Sequence, residues 1–225
     1  MSELANHNEV YLERENRVVR VNNGKAYFVT KRLIDIIGSS LGILFLSLLF
    51  IAIAILIKIE DPKGKIFFSQ KRVGLNGKEF EMYKFRSMVS NAEEKLAELL
   101  KHNEVSGAMF KMKDDPRITK IGKFIRKTSI DELPQLINVL RGDMSLVGPR
   151  PPLPREVAIY SDYDKQRLMV TPGCTGLWQV SGRNEIGFEE MVELDLRYIN
   201  HRTIWFDIKI IMKTVKIIFF PNSAY

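Results

Sequence analysis

Apolar and polar positions divide the chain into recognisable pieces. From Ile36 to Ile57 the sequence reads IIGSSLGILFLSLLFIAIAILI, 22 residues without a charge. As a straight helix it would reach roughly 33 Å, enough for the hydrocarbon core of a bilayer. A buried core helix is the alternative, but length and apolarity both exceed what a soluble core normally uses. The segment starts too late and runs too long for a cleavable signal peptide. Lys31 and Arg32 precede it, and Lys58, Lys63, Lys65, Lys71 and Arg72 follow it. The positive-inside tendency would keep both flanks on the cytoplasmic side. A helix that enters and turns back meets that demand, with Gly38, Ser39, Ser40, Gly42 and Ser47 as places for a bend.

The remaining pattern predicts an α+β protein, mainly α, with one small β-hairpin. Residues 1–30 read as a polar arm, 31–60 as the membrane helix and 61–225 as one catalytic domain with helices at the membrane interface. Asn76-Gly77 between two β-prone runs signals the hairpin. On its second strand Phe80, Met82, Lys84 and Arg86 alternate onto one face. NAEEKLAELLKHN reads as a short charged surface helix, and Lys120, Lys123, Arg126 and Lys127 cluster on another. FEEMVELDLRYINH reads as an amphipathic helix. In WFDIKIIMKTVKIIFF, steps of four and three put Lys209, Lys213 and Lys216 on one face of a helix otherwise rich in Ile, Met, Val and Phe. Such a helix lies in a headgroup plane or packs on the core with solvated lysines.

Charge narrows the function classes. The 225 residues hold 34 Lys+Arg against 27 Asp+Glu, a net charge of +7, which calls for an anionic partner. No nucleic-acid motif is present, so the excess points to a membrane surface or a phosphorylated substrate. One cysteine, Cys174, excludes an intrachain disulfide, and with three histidines it makes a structural zinc site a poor reading.

The stretch SIDELPQLINVLRGDMSLVGPRPPL places Asp131 beside Glu132 at the head of a helical pattern. One reading is a capping box, with Ser129 capping and Glu132 reaching back. The other is chemistry on phosphorus. Arg126, Arg141 and Arg150 surround the pair in sequence and suit bidentate phosphate contacts, with Lys84 and Arg86 as further cations. A carboxylate can attack phosphorus, provided that cations, Mg²⁺ among them, offset the repulsion.

Three long, ordered stretches carry a resemblance: KRLIDIIGSSLGILFLSLLFIAIAILIKIEDPKGKIFFSQKRVGLNGKEFEMYKFRSM, DDPRITKIGKFIRKTSIDELPQLINVLRGDMSLVGPRPPLP and TPGCTGLWQVSGRN. They resemble the bacterial sugar transferases, the monotopic phosphoglycosyl transferases that initiate polysaccharide synthesis, and this chain looks like the small type without an extra N-terminal membrane domain. The resemblance implies transfer of a sugar 1-phosphate from a UDP-sugar to polyprenyl phosphate, with release of UMP, at the cytoplasmic face of the bacterial cell membrane. It implies Asp131 as nucleophile of a covalent phospho-sugar intermediate and as a ligand of Mg²⁺, with Glu132 as its partner. Lys84, Arg126 and Arg150 match motif cations expected near the phosphates, and Arg183 matches the nucleotide-sugar end. Inner-membrane lipids and further glycan-assembly enzymes are the partners that follow. One departure stands out: where the family's re-entrant helix breaks at Ser-Pro, this chain has Ser47-Leu48. A non-catalytic anchor of a polysaccharide assembly complex is the alternative function, which the joint presence of Asp131, Glu132, Arg126 and Arg150 argues against.

Overall fold

A computed structural model describes residues 18–21, 24–92, 94, 95, 112, 115–182 and 186–219. The polar arm up to residue 17, most of the charged helix expected after Ser90, and Arg183 lie outside the described residues. The α+β expectation holds, with helices dominant and the strands confined to two small sheets.

The apolar segment is not one straight helix. Helix α1 covers Lys25–Phe45 and α2 covers Ser47–Glu60, with Leu46 between them and a bend of 59°. The break falls beside Ser47, so no proline is needed for it. Helix α1 also begins at Lys25, ahead of the boundary drawn at residue 31. No single described helix is long and apolar enough to cross a membrane; the bent pair together meets the length and composition requirement.

Polar groups tie the first half of α1 to the folded body. Lys31 Nζ donates to Asp207 Oδ2 at 2.7 Å and to the Val147 carbonyl at 3.0 Å. Arg32 donates to the carbonyls of Val139 and Leu140 at 2.6 and 2.7 Å. Those two carbonyls close helix α4 (Gln135–Arg141), so a cation sits where the helix dipole favours one. Asp35 Oδ1 accepts from Ser145 Oγ at 3.0 Å and from Leu146 N at 2.9 Å. At the far end of the pair, Ile53 and Ile57 of α2 are buried against Phe85 and Ile125. Both ends of the bent pair therefore rest on one body. Its outer surface exposes Leu41, Leu44, Phe45, Leu48, Ile51 and Ile55.

The hairpin forms as the turn signal predicts. Strand β1 (Phe67–Val73) runs antiparallel to β2 (Glu79–Phe85), and Asn76 and Gly77 take positive φ values of 54° and 80°. Register puts Arg72 opposite Phe80, Gln70 opposite Met82 and Phe68 opposite Lys84, so these six share one face. Arg86 falls just beyond β2.

Asn138 of α4 then fastens the hairpin. Its Oδ1 accepts from Tyr83 N at 3.0 Å and its Nδ2 donates to the Glu81 carbonyl at 2.7 Å. The buried amide thus satisfies strand-edge groups as another strand would. Helix α3 (Lys120–Lys127) is capped by Thr119 Oγ1, which accepts from Gly122 N at 2.9 Å. A Cβ on Gly122 would come within 2.0 Å of the Ser87 carbonyl, so α3 can lie this close to the end of the hairpin only with glycine there.

A second sheet was not foreseen. Strand β3 (Ser145–Val147) pairs in parallel with β4 (Gly173–Thr175), joining the two Gly- and Pro-rich motifs. Beyond it, α5 (Phe188–His201) buries Val192, Leu196, Tyr198 and Ile199 in the main core. Helix α6 (Ile204–Phe219) turns Asp207 and Ile210 inward and exposes Trp205, Ile208, Met212 and Val215 together with its lysine face.

Asn138→Ala leaves the Tyr83 N–H and the Glu81 carbonyl without their partner. Each such buried group costs about 1–3 kcal/mol, so a loss of several kcal/mol is expected in denaturant unfolding of the purified protein. An unchanged midpoint would mean that the hairpin is held by apolar contacts alone.

Candidate active site

The segment after α3 does not fold as a capping box. Ser129 adopts φ 57°, ψ 16°, its side chain caps nothing, and Ile130–Glu132 form a single 3₁₀ turn before α4 starts at Gln135. Pro134 directly precedes α4, where its missing N–H is harmless. The first of the two sequence readings is thereby corrected: neither Ser129 nor Glu132 closes the helix start. Glu132 instead turns to the hairpin, where Lys84 Nζ donates to its Oε1 at 2.7 Å.

Asp131 is the buried member of the pair, at 8% exposure. Burial above all, then the neighbouring Glu132 charge, pushes its carboxyl up to about 6, while Lys84 and Arg126 hold it from rising further. Arg126, in the last turn of α3, is fixed by a 2.8 Å bond from its Nε to Ser87 Oγ. Its outer edge stays exposed toward solvent.

A shallow cleft of about 70 Å³ opens beside the Lys84–Glu132 pair, lined among others by Arg72, Lys84, Glu132, Gln135, Arg150 and Cys174. Arg150 reaches it from the GPRP segment after β3, with Nη1 at 3.7 Å from Glu156 Oε2. The buried Arg167 donates to the Arg150 carbonyl at 3.4 Å and is itself held by Asp195 at 2.7 Å.

The structure therefore brings Asp131, Glu132, Lys84 and Arg126 together, with Arg150 across the cleft. It does not bring in Arg86, which forms a buried ion pair with Asp61 and donates to the Asp61 carbonyl at 3.0 Å. Arg86 is thus a fastener between the end of α2 and the hairpin, and the alternation argument failed because the strand ends one residue earlier. Arg141 is also turned away, donating to the Tyr83 hydroxyl at 2.6 Å. Sequence reasoning missed Arg72 and Gln135 as lining groups.

For Mg²⁺ the donor set is sparse. Among the described residues no group of three or more His, Cys, Asp or Glu side chains could hold a metal ion. Mg²⁺ commonly uses only one or two carboxylates and takes its other ligands from substrate phosphates and water. Asp131, with Glu132 beside it, fits that mode and does not fit a preformed protein cage.

Residues 26–221 match the bacterial sugar transferases. The chain belongs to this family. It is 53% identical to the galactosyl transferase CpsE of Streptococcus agalactiae over 200 residues, which is 88% of this chain and 44% of that protein. It is 43% identical over its whole length to the undecaprenyl-phosphate galactose phosphotransferase of Salmonella typhimurium, covering 47% of it. It is 37% identical to the exopolysaccharide production protein ExoY of Rhizobium meliloti, across 96% of this chain and 95% of ExoY. The chain thus spans less than half of the first two relatives and nearly all of the third.

Because the folded protein binds the Asp131 proton more tightly than the unfolded chain does, ionising it costs stability. The cost is absent below about pH 4, grows as pH rises, and is complete above about pH 6. Asp131→Asn removes it. The variant is expected to be more stable than wild type at pH 7.5 by about 1–3 kcal/mol, with the difference vanishing near pH 4. Thermal melts across that range decide it; a variant less stable at pH 7.5 would mean that the carboxylate is well solvated or paired.

Proposed function

We propose that this protein transfers a sugar 1-phosphate from a UDP-sugar to polyprenyl phosphate, through a covalent intermediate on Asp131. The observation that carries the reading is a buried carboxylate kept ionisable by Lys84 and Arg126, in a chain of the bacterial sugar transferase family.

An oxygen of Asp131 attacks the phosphorus that bears the sugar. The bond from that phosphorus to the bridging oxygen breaks, and its electron pair leaves with UMP. An oxygen of polyprenyl phosphate then attacks the same phosphorus and expels Asp131, giving polyprenyl diphospho-sugar and the free carboxylate. Both steps bring an anion to an anion, so fixed positive charge must offset the repulsion. Lys84 and Arg126 supply it beside Asp131, and Arg150 supplies it across the cleft. Glu132 holds Lys84 in place and is half-exposed, so it can also meet solvent and the incoming phosphate's counter-charge. Mg²⁺ bound with the diphosphate at Asp131 would supply further charge neutralisation. Burial of Asp131 keeps water from competing for the intermediate.

The membrane end follows the same reading. Both ends of the α1–α2 pair are bonded or packed to one folded body, while its bent middle exposes Leu and Ile. A pair that enters the bilayer and returns satisfies this; a straight span would tear one end from its partners. Helix α6, with apolar side chains and lysines exposed together, would lie along the surface beside it. The catalytic body then faces the cytoplasm, where UDP-sugars are made. Relatives named for galactose make UDP-galactose the first donor to assay, before other UDP-sugars.

Wild type incubated with the correct UDP-sugar, Mg²⁺ and no lipid is expected to carry a phospho-sugar on the peptide containing Asp131, seen by mass spectrometry. Asp131→Asn is expected to lose adduct and turnover while remaining folded. Near-normal turnover in that variant would refute the nucleophile assignment. In wild type, kcat/KM should rise between pH 5 and 7 as Asp131 ionises, and Lys84→Met should move the midpoint upward, since Lys84 favours the charged form.

Topology has its own test. Cysteines at Lys25 and Lys63, both exposed, in a Cys174→Ser background should both resist a membrane-impermeant thiol reagent applied to intact cells. Labelling of only one of them would mean a straight span.

A further inference from the structure

Of the five arginines buried among the described residues, three are matched to carboxylates. Arg86 holds Asp61, Arg117 holds Asp115 and Arg167 holds Asp195. Burying a guanidinium without such a partner is costly, which is why proteins rarely do it. Arg72 departs from this. It is 6% exposed, and no carboxylate among the described residues lies within ion-pairing distance of it. Its Nη1 donates to the Pro151 carbonyl at 3.1 Å and its Nη2 to Gln70 Oε1 at 2.7 Å, both neutral acceptors. Its Nε is buried without a hydrogen-bond partner. The side chain lines the cleft, and Arg150 lines the same cleft. The two guanidiniums repel: burial first, and then Arg150, draws the Arg72 pKa down to about 10. Two cations have thus been brought together in a partly dry cleft, with Lys84 beside them already neutralised by Glu132. With Glu156 3.7 Å from Arg150, the cleft cations exceed the local carboxylates by the Arg72 charge, and an anionic phosphate oxygen between the two guanidiniums would complete the set.

The cleft has a side. Asp131 and Arg126 lie toward α3, whose Ile125 packs on Ile53 and Ile57 of the membrane helix pair. The Arg72–Arg150 end is walled by Pro151, Gly173, Cys174 and Gln179, from the loops around β3 and β4. In the transfer reading above, the acceptor's lipid-borne phosphate would come from the helix pair and the soluble nucleotide from the loops.

We propose that Arg72, with Arg150, binds the nucleotide phosphate, the one that departs as UMP when Asp131 attacks. This rests on the phosphoglycosyl transfer reading above. In the donor, Arg72 positions the leaving phosphate in line with the Asp131 oxygen. As the bond breaks, the bridging oxygen takes up negative charge, and the two guanidiniums stabilise it. Arg72 was hidden from pattern reasoning because the hairpin connection decides which face it occupies.

The test uses the full-length protein in detergent or nanodiscs, with UMP as the binding probe. Arg72→Met and Arg72→Lys are compared with wild type for UMP affinity by calorimetry, and for KM of the UDP-sugar and of polyprenyl phosphate separately. Lysine keeps the charge but loses the planar fork. UMP affinity is expected to fall at least about tenfold in Arg72→Met and by less in Arg72→Lys, the range for a lost charge-assisted bond. KM for the UDP-sugar should rise in step, affinity for uridine should stay the same, and KM for polyprenyl phosphate should hold. Unchanged UMP affinity in either variant, with the thermal midpoint preserved, overturns the assignment. A rise confined to KM for polyprenyl phosphate also overturns it, by giving the subsite to the acceptor. If wild type turns over but the variants bind UMP normally, only Arg72 is misassigned. If wild type neither binds UMP nor releases it from any UDP-sugar, the transfer reading itself fails and takes this one with it.

Discussion

A buried carboxylate that neighbouring cations keep ionisable is the constraint on which the surrounding structure depends. Burial raises the Asp131 pKa, and the charges of Lys84 and Arg126 draw it back down. Each cation comes from a different element, and each element needs its own support. Lys84 is on the hairpin, which Asn138 pins to α4. Arg126 is at the end of α3, which approaches the hairpin closely because position 122 lacks a side chain. The 3₁₀ turn that carries Asp131 lies between α3 and α4, with Ser129 in the left-handed region at its start. Displacing any of these would leave a buried carboxylate with less positive charge, and protonation would be the cheaper state.

The same economy of charge appears where the membrane helices meet the body. Lys31 and Arg32 look in the sequence like an ordinary basic flank. In the fold they do local structural work, pairing with Asp207 and closing the carbonyl end of α4. Asp35, one turn on, receives Ser145 and Leu146 at the start of β3. Strand β3 leads into the segment bearing Arg150. Helix α1 is therefore built into the support of the cleft, while the outer face of the bent pair exposes Leu41, Leu44, Phe45, Leu48 and Ile51.

Much of this was legible in the chain. The hairpin was, because Asn-Gly has few other uses between β-prone runs. The apolar segment was, and a bend was allowed by Gly38, Ser39, Ser40, Gly42 and Ser47, with the resemblance pointing to Ser47-Leu48. The Asp131–Glu132 pair stood out against a basic background, and the family resemblance supplied roles that the residue pattern left open. What failed did so for local reasons. Ser129-x-x-Glu132 fits a capping box, but a positive φ at Ser129 turns its side chain away, and Lys84, distant in sequence, claims Glu132. Arg86 was placed by alternation on the strand that Phe85 ends. Arg72 depends on register. A two-residue Asn76-Gly77 turn would pair Arg72 with Glu81 and set it on the opposite face from Lys84. The observed connection, closed by Gly74 N to the Lys78 carbonyl at 2.8 Å, shifts the pairing by one and sets it opposite Phe80. No propensity in the sequence distinguishes these two registers. The parallel pair β3–β4 was hidden for a related reason, since three-residue strands give no alternation to read.

The net charge of +7 pointed to an anionic partner, and the fold changes what that inference rests on. A sum over the chain counts every cation alike. In the folded protein Lys31, Arg86, Arg117 and Arg167 are neutralised by their own carboxylates, and Arg32 by helix carbonyls. None of them can greet a ligand. The cations that can are few and placed: Arg126 beside Asp131, Arg72 and Arg150 in the cleft, and the lysine face of α6 beside exposed apolar side chains. These form two groups, one around Asp131 and the cleft and one along α6. In the reading proposed above, a diphosphate donor, a lipid phosphate and a bilayer surface are all anionic, and holding the first two in line while resting on the third calls for cations divided in this way. Position, and the carboxylates withheld from it, carries the specificity that net charge alone could not.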